Sequence, residues 1–485
     1  MSDFRDLRIS VIGAGMGGLA CALAFAKKGF KHVDVYETAS NLGFVGAGIQ
    51  LAPNMVRLLD RWGCWDSIGA EATNITSSSI REGSTNRELV HVEMPDIAEK
   101  YGYPHCTGHR ASLAGGLYEG CKKEPAVTFH FSSSLVGITS FGPDKTVFTV
   151  QPRNGDAYEV ETDVLLGADG IKSAVRTSLL RALDIPADVE DTGQAAYRIM
   201  LNRSQMEHDP ELLELLDADC ALRWIGAKRH IVAYPISNKT IYNISTCQPD
   251  VNFAAAPGAT YTTRGSKPAM LQVYADFGPT VQKMLNMVPE GEVCEWRLRS
   301  HAPLATWVLG AVALVGDACH PTLPHLSQGA AMAIEDAAVL AEVVSRAPGG
   351  GSDRAALSKA VKVYELLRKD RTTLLVDLAA SSARTLHLGE GKAKEERDRA
   401  FLNAKKRGTP IPDKWASPEV QHMIYSYDCV KDTDEKFDEL YASLADGAAE
   451  KGFMNGDTNG NVATNGHASG NATDVAAEVA AEVAA

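Results

Sequence analysis

Residues 7–37 read LRISVIGAGMGGLACALAFAKKGFKHVDVYE, and the order of textures in that stretch decides the fold. LRISVI is a short, mostly apolar run suited to a buried strand. The turn Gly13-Ala14-Gly15-Met16-Gly17-Gly18 follows at once, and LACALAFAKKG supplies the small and apolar residues of a buried helix. HVDVYE, residues 32–37, is a second strand that closes on an acid. Strand, glycine turn, helix and strand within about 30 residues make one β-α-β unit.

The turn has a mechanical logic. Gly13, Gly15 and Gly18 permit a tight bend and close backbone approach to a pyrophosphate, whose charge would sit at the N-terminus of the following helix. Glu37, at the end of the second strand, is placed to accept hydrogen bonds from a ribose hydroxyl. An acid there disfavours a 2′-phosphate, which leaves FAD or NAD as the dinucleotide.

Outward from this unit the chain stays globular in composition. Its 485 residues are 45% hydrophobic and 22% charged, enough for two or three packed modules. The 61 acidic against 48 basic residues give a net charge of −13, which speaks against nucleic acid as a partner. Nine cysteines without a Cys-x-x-Cys pair fit buried thiols in a reducing compartment, and no apolar stretch approaches a membrane span. A soluble, cytoplasmic protein is the expectation, either monomer or homodimer.

After a less regular passage over 76–104, EPAVTFHFSSSLVGITSF and KTVFTVQP alternate like antiparallel strands, and DVLLGADG, 163–170, is a buried strand ending in a turn. Between 190 and 300, AAYRIML, HIVAYPI and TIYNIST suggest a second, antiparallel sheet. AVALVGDACH, 311–320, then runs as a strand into a loop, and an Ala-rich helix ends at Pro348-Gly349-Gly350. The resulting partition is a nucleotide-binding domain in three parts (1–75, 105–185, 297–354), a substrate domain in two (76–104, 186–296), a helical region (355–445) and a tail (446–485) too poor in large apolar residues to order.

Residues 316–336, GDACHPTLPHLSQGAAMAIED, add the signal that separates the two dinucleotides. Together with GAGMGG and Glu37, GAGIQLAPN at 46–54, Arg110 in HRASL and Gly167-Ala168-Asp169-Gly170, they form an ordered series. In that series the chain resembles the single-component FAD-dependent aromatic hydroxylases, the group of salicylate hydroxylase and 6-hydroxynicotinate monooxygenase. The resemblance implies an α/β fold: a Rossmann-like, glutathione-reductase-like FAD domain, an inserted antiparallel-sheet substrate domain and C-terminal helices. It also implies that Asp317 binds the ribityl chain of FAD, that Gly329 and Ala330 bring N–H groups to the flavin, and that Gln50 and Arg110 lie along the cofactor. Asp169 is implicated with both FAD and NAD(P)H.

On the substrate side, hydroxylation of this type works on an ionised phenol that attacks a flavin hydroperoxide, which calls for a base or a cationic donor near the ring. Arg198, His230 and Tyr234 fall in the expected antiparallel sheet, and His230 and Tyr234, four apart on a strand, share a side. The resemblance implies catalytic roles for Arg198 and Tyr234 and places His325 over the flavin. His320 reads as structural, and Asp317, Cys319 and His320 do not make a metal site. The activity so implied is oxidation of a small hydroxylated aromatic with O2 and transient NADH or NADPH, with hydroxylation that is or is not decarboxylating. A flavin oxidase and a non-enzymatic binder on the same scaffold are the competing readings.

Overall fold

The strand β1 (Arg8–Ile12) lies inside a six-stranded sheet, hydrogen-bonded in parallel to β2 (His32–Glu37) on one side and to Val164–Gly167 on the other. This is a computed structural model, and it describes residues 3–43, 46–142, 145–186, 189–251, 262–351, 353–404 and 411–444. The expectation for the 446–485 tail therefore concerns residues outside those described. From one edge the strands run Val308–Leu309, Val312–Leu314, Val164–Gly167, β1, β2 and Val127–Phe131, and all but the first are parallel. Ile9, Val11, Val164, Leu165 and Leu166 are completely buried, as a parallel sheet covered on both faces requires. The helix α1 (Met16–Lys28) provides part of that cover and ends at Gly29, which takes the left-handed conformation that closes a helix.

The stretch read as two antiparallel strands divides differently. Val127–Phe131 joins the parallel sheet beside β2, and only Ser133–Ser140 goes on to pair antiparallel with Thr146–Pro152. Alternation reports a half-covered strand and carries no information on the direction of its neighbour. The small sheet so formed contributes Phe148 and Val150 to the same core.

The second large sheet has eight strands. Its order is Thr262–Arg264, Cys294–Ser300, Glu190–Asn202, Ile241–Pro249, Arg229–Ile236, Cys220–Gly226, Ser77–Glu82 and Glu88–Glu93. Four of these carry the argument below: β3 (Glu190–Asn202), β4 (Arg229–Ile236), β5 (Ile241–Pro249) and β6 (Cys294–Ser300). The chain enters this sheet twice, at 77–93 and again from 190. Its exit is later than the boundary drawn at 296, because β6 keeps pairing with β3 as far as Ser300. Strand periodicity dictates the two faces. Ile231 and Ala233 of β4, Tyr197 and Ile199 of β3 and Ile244 of β5 pack with Leu212, Leu216, Met270 and Met284 of the covering helices. The alternate residues face the nucleotide-binding domain. The helices α2 (Gly329–Ser345) and α3 (Arg354–Leu386) complete the frame.

Candidate active site

Between the two domains lies a cavity of about 650 Å³, lined by the glycine turn, the Gly316 turn and the start of α2 from one domain and by β3 to β6 from the other. The three turn glycines do different jobs. A Cβ on Gly13, whose φ is +95°, would stand 2.7 Å from the Ala168 carbonyl oxygen, and one on Gly18 would stand 1.9 Å from the oxygen of Gly13. Those two are required for the bend itself. A Cβ on Gly15 would meet nothing within 4 Å, because Gly15 borders the cavity. Gly15 is also the N-cap of α1 and no side chain caps that helix, so N–H groups of its first turn are left for a ligand.

Glu37 holds this turn in place: its carboxylate accepts from the Ala14 N–H and the Ala39 N–H, both at 2.8 Å, and each oxygen keeps lone-pair capacity for a hydroxyl. Gly329 and Ala330, at the start of α2, line the cavity too, and α2 likewise lacks a side-chain cap. Gly316, at φ +61°, lets the turn close on Ala333 of α2, whose methyl a Cβ would meet at 2.9 Å. The next residue, Asp317, is exposed, and what it is exposed to is the cavity it lines. Its depth raises its carboxyl above the usual range against the pull of His320 and Arg110. Among the described residues its carboxylate has no hydrogen-bond partner.

Two expected cofactor contacts are engaged elsewhere. Asp169 lines the cavity, yet its carboxylate accepts from the Ser173 hydroxyl and from the Ala174 and Val175 N–H groups, which begins the helix Ala174–Ala182. Gln50 accepts from the Trp415 indole N–H at 2.9 Å. Both border the space, and both spend side-chain capacity on the fold.

Across the cavity, Arg198, Ser245 and Val232 lie in register on β3, β5 and β4, so their side chains share a face. His230 and Tyr234 flank Val232 on that face. Arg198 stacks over the Trp296 ring at 4.6 Å, and burial together with the nearby Arg110 pulls its guanidinium down to about 10, still a cation at neutral pH. Burial lowers Arg110 as well, against Asp317 and Tyr234. Among the described residues neither guanidinium has a hydrogen bond or a carboxylate at ion-pair distance. Two half-buried cations without an ion-pair partner thus line the cavity next to a phenol that burial pushes up.

His230 and His325 converge at the same end, with ring centroids 5.2 Å apart, and His387 at the end of α3 joins them. His230 Nδ1 lies 2.6 Å from His387 Nε2. Burial pushes all three imidazoles down, His325 to about 3 and His387 to about 4, so they are neutral near pH 7. His387 was not foreseen, because nothing in its neighbourhood of the sequence forms a motif. The domains are tied directly where Asn243 of β5 accepts from the Gly48 N–H at 2.7 Å.

Beneath the cofactor side runs a buried ionic network. Asp336 of α2 accepts from His320 at 2.5 Å and from Arg368 of α3 at 2.8 Å, and it also takes the Gly316 N–H. Glu335 pairs with Arg368 and Arg371. His320 is thus structural, as expected, and the carboxylate bonded to it is Asp336. Cys319, His320 and Asp336 stand close together with Asp336 already committed to Arg368.

A family model described as an FAD binding domain matches residues 6–378. The chain belongs to that family. Its relatives include the FAD-dependent monooxygenase ntnJ of Nectria sp, 31% identical over 395 residues, 81% of this chain and 88% of that one. The 6-hydroxynicotinate 3-monooxygenase of Bordetella bronchiseptica is 33% identical over 374 residues, 76% of this chain and 88% of that one. A salicylate hydroxylase solved as its substrate complex shares the fold, with a TM-score of 0.72 at 22% identity over 91% of this chain and 99% of that one. The protein is an FAD-dependent monooxygenase of this family, which sets aside the oxidase and the non-enzymatic binder. The residues of the FAD-binding half fit the cofactor: an uncapped helix N-terminus and open Gly15 for pyrophosphate, Glu37 for ribose, unpartnered Asp317 for a hydroxylated chain. Among the described residues no helix is long and apolar enough to cross a membrane.

Proposed function

We propose that this monooxygenase hydroxylates a phenolic or hydroxy-aromatic substrate, with NADH or NADPH as transient reductant, and that Arg198, Tyr234, His230 and His325 act on the ring. The observation that carries the reading is the pair of half-buried guanidinium groups lining the cavity, Arg110 and Arg198, neither of which is ion-paired among the described residues. When bound, FAD supplies the activation of O2 at the expense of NAD(P)H.

Every other role falls to the chain. The Arg198 guanidinium, braced on Trp296, holds the ring oxygen as a phenolate, since a fixed cation stabilises the anion throughout the neutral range. The Tyr234 hydroxyl, too weak an acid to ionise where it lies, donates to the same oxygen and orients the ring. In the tautomer in which His230 Nδ1 donates to His387, Nε2 is left to accept a hydrogen bond from the phenol hydroxyl, and His325 has neither ring nitrogen bonded.

The test is product formed per NAD(P)H oxidised, with titration of the flavin absorbance by substrate. Tyr234→Phe retains flavin and diverts more reducing equivalents to peroxide. Arg198→Ala retains flavin and weakens substrate binding by about 1.5–3 kcal/mol, the worth of a charge-assisted hydrogen bond. Unchanged coupling and affinity in both variants would overturn the assignment.

A further inference from the structure

His230, His325 and His387 come from a strand, a loop and a helix end, and each offers a ring nitrogen within 4.8 Å of the others. Their ring centroids are 4.9, 5.2 and 5.6 Å apart. A tetrahedral zinc ion with Zn–N distances of about 2.0–2.1 Å sets the rings of its histidine ligands about 5 Å apart. His325 is fully buried and neither of its ring nitrogens has a hydrogen-bond partner, a costly arrangement that ligation would relieve. Arg223, the arginine whose charge acts on His230 and His325, donates to the His325 carbonyl at 3.2 Å and is paired with Asp413 at 2.9 Å, so it does not bar a cation.

We propose that these three histidines form a site for a zinc-class divalent ion, and that its occupation opposes the aromatic chemistry at the other face of His230. Binding needs His230 and His387 to part slightly from their 2.6 Å hydrogen bond. The ion takes the lone pairs of His230 Nδ1 and His387 Nε2, and the proton formerly on Nδ1 of His230 moves to its Nε2. Charge and proton number on the protein are unchanged. The nitrogen facing the substrate, however, changes from acceptor to donor. The metal site itself stands on geometry alone, while the inhibitory consequence rests on the function proposed above.

The experiment is calorimetric titration of the chelator-treated flavoprotein with Zn2+, with flavin absorbance as the check on folding. About one equivalent binds to the wild type. His387→Ala and His325→Ala each weaken that binding at least tenfold, the minimum expected when a ligand is lost, while His422→Ala, an exposed histidine elsewhere, leaves it unchanged. Failure to saturate near one equivalent, or equal affinity in all four proteins, would overturn the site. Zinc binding without any hydroxylation of aromatics would remove the functional reading and leave the site. Hydroxylation that zinc at saturation does not slow would remove the antagonism.

Discussion

The two walls of the cavity are made differently. On the nucleotide-binding wall much of what is offered is backbone N–H and open space, with Gly15 meeting nothing within 4 Å, the uncapped start of α1 and the first residues of α2, joined by the carboxylates of Glu37 and Asp317. On the wall opposite they are side chains held out from strands: Arg198, His230 and Tyr234. At Gly13 and Gly18 the first wall tolerates no added atom, since the turn is set by close backbone approach, while at Gly15 an added methyl meets only the space left for a ligand. The second tolerates exchange of side chains and changes its chemistry when they change. A family can therefore keep its cofactor and alter its substrate with the same frame.

The largest effect should come from beneath the first wall. Arg368 is fully buried between Glu335 and Asp336, and Arg368→Met leaves two buried carboxylates short of a cation, a loss of about 3–5 kcal/mol in chemical denaturation. Next, Gly18→Ala drives a methyl into the Gly13 carbonyl and costs about 1–3 kcal/mol, with flavin lost from the purified protein. Gly15→Ala, by contrast, should keep the melting temperature of the flavin-free protein and lose flavin affinity alone. Equal behaviour of the two variants would erase the division between shape and ligand contact.

His320 gives a pH dependence. Burial opposes its charge, but Cys319 and Asp336 outweigh burial and raise it well above its ordinary 6.5. A raised base stabilises the fold fully below its unfolded value and loses that contribution as pH climbs through the folded one. The destabilisation in His320→Gln is thus greatest near pH 6 and shrinks toward alkaline pH, read from denaturation midpoints across that window. The smallest effect belongs to the seam between the walls: Asn243→Ala removes the bond to the Gly48 N–H at a cost of about 0.5–1.5 kcal/mol and leaves flavin content unchanged.

The same contrast explains what could be read without coordinates. Gly13, Gly15, Gly18 and Glu37 are close in sequence and their spacing follows from the turn they build, so the turn and its strands were visible. His230 and Tyr234 could be placed on one face because strand periodicity is local, whereas the face of Arg198 depends on which strands pair, and Val127–Phe131 shows that periodicity does not reveal that. What was hidden depends on pairing across distance. Arg368 and Asp336 meet only because α2 and α3 pack together, and His387 meets His230 over a separation of 157 residues. No composition or spacing marks such meetings, because the hydrogen bond depends on the tertiary path and not on neighbours in the chain.

The insertion of β1 between β2 and Val164–Gly167, with Val312–Leu314 beyond, has a consequence for synthesis. The glycine turn leaves the ribosome about 300 residues before Ala330, which at roughly 5–20 residues per second is about 15–60 s. Through that interval α1 has no α2 to lie against, and for about its second half, once Val164–Gly167 is made, the apolar strand edge waiting for Val312–Leu314 stays open. The flavin site can be completed only after two-thirds of the chain is made, so the nascent chain needs shelter for the apolar face of α1 longer than for any strand edge of this sheet.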